Sequence, residues 1–241
     1  MNGARWALHW FLPWALLLPS PAPGAQETSL RPFRAEYSLS RGYLEFARVE
    51  VELRLPANGG YSYRAHTIPI GLTAVLHSDE VTETSQGRIV DGQIQPLKYR
   101  YLHAKSTNPR QVELSFDWPD LRVTNTTQGT RWLMKIKPGT QDKFSQQLSL
   151  IVALANGKRN IQFPVADGGL TKQYSFYIQK EEIVSTGIGP LHTAKVIRSK
   201  NGRPSRASLW LAPELHYLPV KVERRENDGE YTMNLLQVHW D

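Results

Sequence analysis

The residues best placed to do chemistry are three carboxylates in one short stretch, Asp79, Glu80 and Glu83. Asp79 and Glu83 are separated by an even number of residues, so on a strand they share one face. Two carboxyls paired in this way can act as acid and base in hydrolysis. The competing reading sets them against the row of Lys98 and Arg100 as exposed cross-strand ion pairs. A glycan hydrolase would also want a long aromatic groove, and no part of the sequence supplies one. Beyond the first 24 residues stand six histidines, His66, His77, His103, His192, His216 and His239, with no His-x-x-x-His pair among them. No metal site is expected from that pattern. No cofactor is expected either, because there is no Gly-x-Ser-x-Gly elbow, Walker loop or dinucleotide fingerprint. Gly187-Ile188-Gly189 runs into Pro190 and reads as a turn. The chain has no cysteine, which excludes thiolate metal sites and thiol redox chemistry.

The elements that must carry any site are strands. From Arg206 to Trp240 three rows alternate apolar and polar: Leu209 and Leu211; Leu218, Val220 and Val222; Tyr231, Met233 and Leu235. Period-two alternation means a sheet with one buried and one wet face. The same pattern recurs upstream in Phe33–Leu39 and Ala47–Leu55, in Leu97, Tyr99, Tyr101 and His103, in Val112, Leu114, Phe116 and Trp118, and in Tyr174, Phe176 and Ile178. Turn signals separate the rows, among them Asn58-Gly59, Asp91-Gly92, Gln128-Gly129 and Asp167-Gly168-Gly169. The stretch from Ile68 to Leu76 breaks the pattern. Pro69 and Gly71 interrupt it, yet Ile68, Ile70, Leu72, Val75 and Leu76 are apolar. Such a link either packs across the mouth of the sheet or serves as a gate over it.

One helix is predicted. Phe144, Leu148, Ile151, Val152 and Ala155 follow helical spacing, with Thr140 or Asp142 as N-cap and Asn156-Gly157 as stop. Three to four turns are not stable alone, so the helix must lie on the buried face of the sheet. The expected fold is therefore mainly β: a curved antiparallel half-barrel of ten to twelve strands wrapped around one α-helix, with a β-sandwich as the alternative.

Residues 1–24 read as a signal peptide. Arg5 precedes the apolar run Trp6–Leu18, which is shorter than the ~20 residues of a bilayer span. Ala22-Pro23-Gly24 places the cut near Gly24/Ala25, leaving residues 25–241 as a single β-rich domain in an exported compartment, most simply a periplasm. Lipid attachment would need a cysteine, so no lipoprotein is expected. The formal charge of +7 falls to +6 once Arg5 is gone. Basic residues are spread along strands, which suits a solvated outer face or contact with anionic membrane material, and nucleic acid is not an expected partner.

Several segments together carry a family resemblance. Leu209-Trp210-Leu211-Ala212-Pro213-Glu214-Leu215, followed by Tyr217-Leu218-Pro219-Val220-Lys221-Val222-Glu223, resembles the closing motif of the bacterial exported family of domains of unknown function numbered 3108. Tyr99-Arg100-Tyr101, the segment Val112 to Trp118, Gln141-Asp142 and Gly189-Pro190-Leu191-His192-Thr193 agree with it. The resemblance spans Phe33 to Trp240 and implies a periplasmic β-rich protein. It brings no established activity and no catalytic residue. More remotely, a curved sheet around a helix is similar to the lipoprotein-carrier fold, an analogy of architecture alone.

Three functions are expected to compete. The first is non-enzymatic binding of an apolar ligand (an acyl chain, lipid or lipoprotein) on the concave face, lined by Leu97, Tyr99, Tyr101, Val112, Leu114, Phe116, Tyr174, Phe176 and Ile178. The second is a structural or interaction protein with a packed core and an envelope protein as partner. The third is a hydrolase using Asp79 and Glu83.

Overall fold

The computed structural model describes residues 30–71, 74, 80–104 and 109–241, apart from the side chains of 204–206. The expected leader and Leu72, Val75, Leu76, His77 and Asp79 lie outside the described residues. Each alternating row becomes a strand: β1 (Phe33–Arg41), β2 (Leu44–Arg54), β3 (Gly60–Pro69), β4 (Glu80–Val90), β5 (Gln93–Ala104), β6 (Arg110–Asp117), β7 (Arg122–Thr127) and β8 (Thr130–Lys135). After the helix α1 (Ser145–Ala155) come β9 (Asn160–Asp167), β10 (Leu170–Thr186), β11 (Gly189–Lys200), β12 (Arg203–Ala212), β13 (Leu218–Glu226) and β14 (Gly229–Trp240). The strands form one antiparallel sheet of fourteen, more than the ten to twelve expected.

The order is a meander running outward from the centre, β8 to β1 and then β14 to β9. The first and last strands therefore meet in the middle, Phe33 opposite Trp240 and Arg41 opposite Tyr231. A twisted sheet of this breadth curls. Its two edges, β8 and β9, approach without pairing: Trp132 packs where a side chain on Gly169 would stand, and Thr171 Oγ1 donates to the Lys135 carbonyl at 3.4 Å. Gln141 stitches the gap. Its N–H donates to the Pro164 carbonyl, its carbonyl accepts from Ala166, both at 2.8 Å, and its Nε2 reaches the Ile94 carbonyl at 2.9 Å. The sheet stays an open, curled structure rather than a closed barrel.

The helix α1 fills the curl. Its first residues, Ser145 and Gln146, are buried, as are Leu148 through Leu154, so the amphipathic stripe expected over Phe144–Ala155 is in fact buried nearly all round. Gln147 is half-buried and Ala155 is exposed. Leu148, Leu150, Ile151 and Leu154 are at most 3% exposed, and burial of each contributes about 1.5–3 kcal/mol. The helix stops as the sequence indicates: Gly157 takes φ +74°, and its N–H returns to the Leu154 carbonyl at 2.9 Å.

The sheet has two ends. At one, where β1 begins and β14 finishes, Ile151 of the helix shares a void of only about 10 Å³ with Leu30, Phe33, Leu218 and Trp240. Towards the same end Phe144 stacks on Tyr63, with ring centres 4.0 Å apart. At the other end lie the β1–β2 and β13–β14 turns. There the concave face carries half-buried apolar residues, Leu39, Tyr101, Val112, Val222 and Met233.

Candidate functional site

The concave face holds most of the expected ligand-lining row, but not all of it. Tyr99, Leu114, Phe116, Tyr174 and Phe176 are buried, and Tyr101, Val112 and Ile178 are half-buried. Leu97 is a correction: it is 41% exposed. A β-bulge is the reason. Gly87 faces Pro96 while Gln86 faces Lys98, so Leu97 is the extra residue and is pushed out of the row. The bulge needs its glycine, since a Cβ on Gly87 would come within 2.2 Å of the Gln95 carbonyl oxygen. Of the gate residues, Ile68 stands opposite Arg48 near the end of β3 and is half-buried, and the N–H of Ile70 donates to the Phe46 carbonyl. Leu72, Val75 and Leu76 are outside the described residues.

Of the carboxylate pair only Glu83 falls within the described residues. Glu83 does not face Arg100, which pairs with Glu113 at 3.4 Å. It lies opposite Ala65 and Tyr101, on the concave face, and accepts a hydrogen bond from the Tyr99 hydroxyl at 2.7 Å. For Glu83 the exposed cross-strand pairing is thus overturned by strand parity. Burial pushes the Glu83 carboxyl up, against the pull of that hydrogen bond and of Lys143.

Deeper in, a polar cluster anchors the head of α1. Asp142 Oδ1 accepts the N–H groups of Phe144 and Ser145 at 2.7 and 2.6 Å, and its Oδ2 accepts the Ser85 hydroxyl at 2.6 Å. Ser145 Oγ accepts the Asp142 N–H in return, and the Ser85 oxygen meets the Tyr61 hydroxyl at 2.9 Å. Asp142 is therefore the helix cap, whereas Thr140 closes a turn onto the Lys137 carbonyl instead. Burial drives the Asp142 carboxyl up to about 6, although these donors favour its charged form. Ser85 and Asp142 are fully buried, and the hydroxyl–carboxylate contact between them lies inside the packed interior. The cluster fixes where the helix enters the sheet.

A second cluster lies at the mouth of the curl. Asp167, at the end of β9, accepts Lys200 Nζ at 2.7 Å, Lys172 Nζ at 2.9 Å and the Tyr174 hydroxyl at 3.1 Å, all on Oδ2. Lys143 Nζ stands 3.8 Å from Oδ1. The Arg198 guanidinium lies over the Tyr174 ring, 5.1 Å from its centre. Burial would raise the Asp167 carboxyl, but the hydrogen bonds from Lys200 and Lys172 and the charge of Lys143 hold it well below the usual carboxylate range. These residues were missed in the sequence, though a signal was there: extending the Tyr174, Phe176, Ile178 row back by one step reaches Lys172.

Two open volumes lie away from the inner rows, and a third of about 320 Å³ reaches Ile178. A cleft of about 540 Å³ sits between the β4–β5 turn, the end of α1 and β9, and its walls carry Gln93, Gln141, Ser149, Asn156 and Phe163. A smaller one of about 250 Å³ lies on the outer face among Arg34, Glu50, Arg64 and His66. Among the described residues no group of three or more His, Cys, Asp or Glu side chains could hold a metal ion, and no helix is long and apolar enough to cross a membrane.

The model of a family described as "Protein of unknown function (DUF3108)" matches residues 36–236, from within β1 to within β14. The chain belongs to the DUF3108 family. The match spans the whole wrap, including both clusters. No curated protein matches this DUF3108 chain. Among solved structures it is similar to a β-barrel-like protein of the domain of unknown function DUF1849 from Brucella abortus, at 13% identity and a TM-score of 0.59, over 88% of this chain and 98% of that one. That likeness concerns fold alone. An exported-protein candidate of YmcC-like fold from Bacteroides fragilis is more distant, with 8% identity, a TM-score of 0.38 and coverage of 88% and 97%.

Proposed function

We propose that this DUF3108 protein is a non-enzymatic protein of the bacterial envelope, and that it holds an acyl chain in the half of its concave face that α1 leaves uncovered. The observation that carries this reading is the uneven filling of the curl. Beside Phe33 the helix leaves a void of only about 10 Å³ at Ile151, while the cleft of about 540 Å³ runs along its Ser149, Val152 and Ala153 side. Towards the opposite mouth, Leu39, Tyr101, Val112, Val222 and Met233 remain half-buried on the same face. Each methylene placed against them would contribute about 0.8 kcal/mol. The rows of Tyr99, Leu114, Phe116 and Phe176 then serve as the packed floor, and the Ile68–Leu76 link is suited to gate the mouth. A signal peptide over residues 1–24 would deliver the protein to the periplasm.

The second reading, a packed-core interaction protein with an envelope protein as partner, is favoured by the near-complete burial of α1. Native mass spectrometry of protein purified from an envelope separates the two. A co-purifying acyl compound, displaced in a Met233→Lys variant, is the expected result. A clean apo mass under gentle conditions would overturn the acyl reading in favour of the packed-core one.

A further inference from the structure

The mouth that the acyl reading leaves open is not neutral. Lys172, Arg198 and Lys200 project from the same face as Tyr174 and Phe176: Lys200 pairs with Tyr174 and Arg198 with Phe176 across β10 and β11, and Lys172 stands two residues before Tyr174. Lys143 joins them from the segment leading into α1, 3.8 Å from Asp167. Four cations thus gather around one carboxylate.

The arrangement is built. Asp167 is only 11% exposed, and a single oxygen of it accepts Lys200, Lys172 and the Tyr174 hydroxyl. Tyr174 in turn presents its ring to Arg198 at 5.1 Å and to Lys200 at 5.7 Å. An ammonium has three N–H donors, and each lysine gives Asp167 at most one. The remaining donors of Lys172 and Lys200, partly withdrawn from water, converge on the same rim. Asp167 stays ionised, so it acts as a fixed pin that holds the ammonium groups together while neutralising only one of their charges.

We propose that this rim binds the phosphate of an acyl amphiphile, with Lys172 and Lys200 donating to the phosphate oxygens and the acyl chain running inward past Met233. The proposal rests on the acyl reading above and adds the head group to it. Phosphate suits the site because ammonium groups fixed at one point act as clustered positive charges against several acceptor oxygens. A fatty acid's single carboxylate would use fewer of them.

The test uses the exported protein with three probes: dodecyl phosphate, a dodecyl chain with an uncharged sugar head, and inorganic phosphate, followed by calorimetry. Dodecyl phosphate is expected to bind at least about tenfold tighter than the sugar-headed probe, since hydrogen bonds to charged groups are worth about that factor or more. A Lys172→Gln/Lys200→Gln variant should lose that preference while keeping its affinity for the sugar-headed probe, with a lowered melting temperature because Asp167 loses its charged partners. Added salt should weaken dodecyl phosphate binding alone. Equal binding of both dodecyl probes would overturn the head-group site and leave the acyl reading intact. Inorganic phosphate binding as tightly as dodecyl phosphate, with no binding of the sugar-headed probe, would overturn the amphiphile and the acyl reading together.

Discussion

Asp142 heads α1 and is met by hydroxyl and backbone N–H donors; Asp167 ends β9 and is met by lysines. Both face inward in the same curl. Burial pushes the first carboxyl up to about 6, while the second, despite its own burial, is held low by neighbouring cations. The contrast separates two tasks. Donors without charge fix backbone geometry and tolerate a carboxyl that is close to taking a proton. Cations keep a carboxylate charged across the working range and leave positive charge over at the mouth. The packed half of the molecule is thus organised by hydrogen bonds around the helix, and the open half by charge around the strand ends.

The strongest way to break the comparison is at Asp142. Asp142→Ala removes the cap and leaves the Phe144 and Ser145 N–H groups and the Ser85 hydroxyl without this buried acceptor. Loss of a cap costs about 0.5–2 kcal/mol, and buried polar groups left unpaired add about 1–3 kcal/mol. We expect roughly 2–5 kcal/mol in denaturant unfolding. Asp142→Asn keeps one acceptor oxygen and should lose distinctly less. Equal losses in the two variants would mean that the carboxylate contributes packing rather than hydrogen bonding.

The pH dependence sharpens the same contrast. The folded pKa of Asp142 is raised, so the stability it contributes is complete below its ordinary value near 3.8 and is lost as pH rises through about 6. The size of that loss is about 3 kcal/mol. Glu83, also raised by burial, works in the same direction. Asp167 works the other way: its folded pKa is lowered, so its contribution is present above 3.8 and disappears as pH falls below that value. Unfolding free energy measured from pH 3 to 7 should fall with rising pH between about 4 and 6. Asp142→Asn should flatten most of that slope, and Asp167→Asn should leave it in place while changing only the acid limb.

The packed half was far more legible in the sequence than the open half, for a physical reason. Apolar residues at periods of two and of about 3.6 announce burial directly, so the rows of Tyr99, Leu114 and Phe176 and the helix at Leu148 and Ile151 could be read without coordinates. Asp142 was visible as a cap because capping is local. Asp167, Lys172 and Lys200 meet only after β9, β10 and β11 pair, and Lys143 only once the helix folds into the curl. Lysine on a strand ordinarily signals the wet face, so the pattern that found the core concealed the cluster. The strand parity of Glu83 was lost for a related reason: a carboxylate four residues from another looked like a surface pair, whereas its partners Ala65 and Tyr101 mark it as inward.

The smallest expected effect tests how sharply the packed half is bounded. By alternation alone Leu97 belongs with Tyr99 and Tyr101, yet the bulge opposite Gly87 turns it to solvent. Leu97→Ser should therefore change stability by no more than about 0.5 kcal/mol, as exposed substitutions do. Leu114→Ala, directly opposite buried Tyr99 and itself 2% exposed, should cost about 2–5 kcal/mol. If Leu97→Ser matched that loss, the bulge would be absent in solution and the β5 row would run unbroken into the core. Gly87 would then have no reason to be glycine, and Gly87→Ala would be tolerated. With the bulge present, that substitution meets the Gln95 carbonyl and must distort the strand.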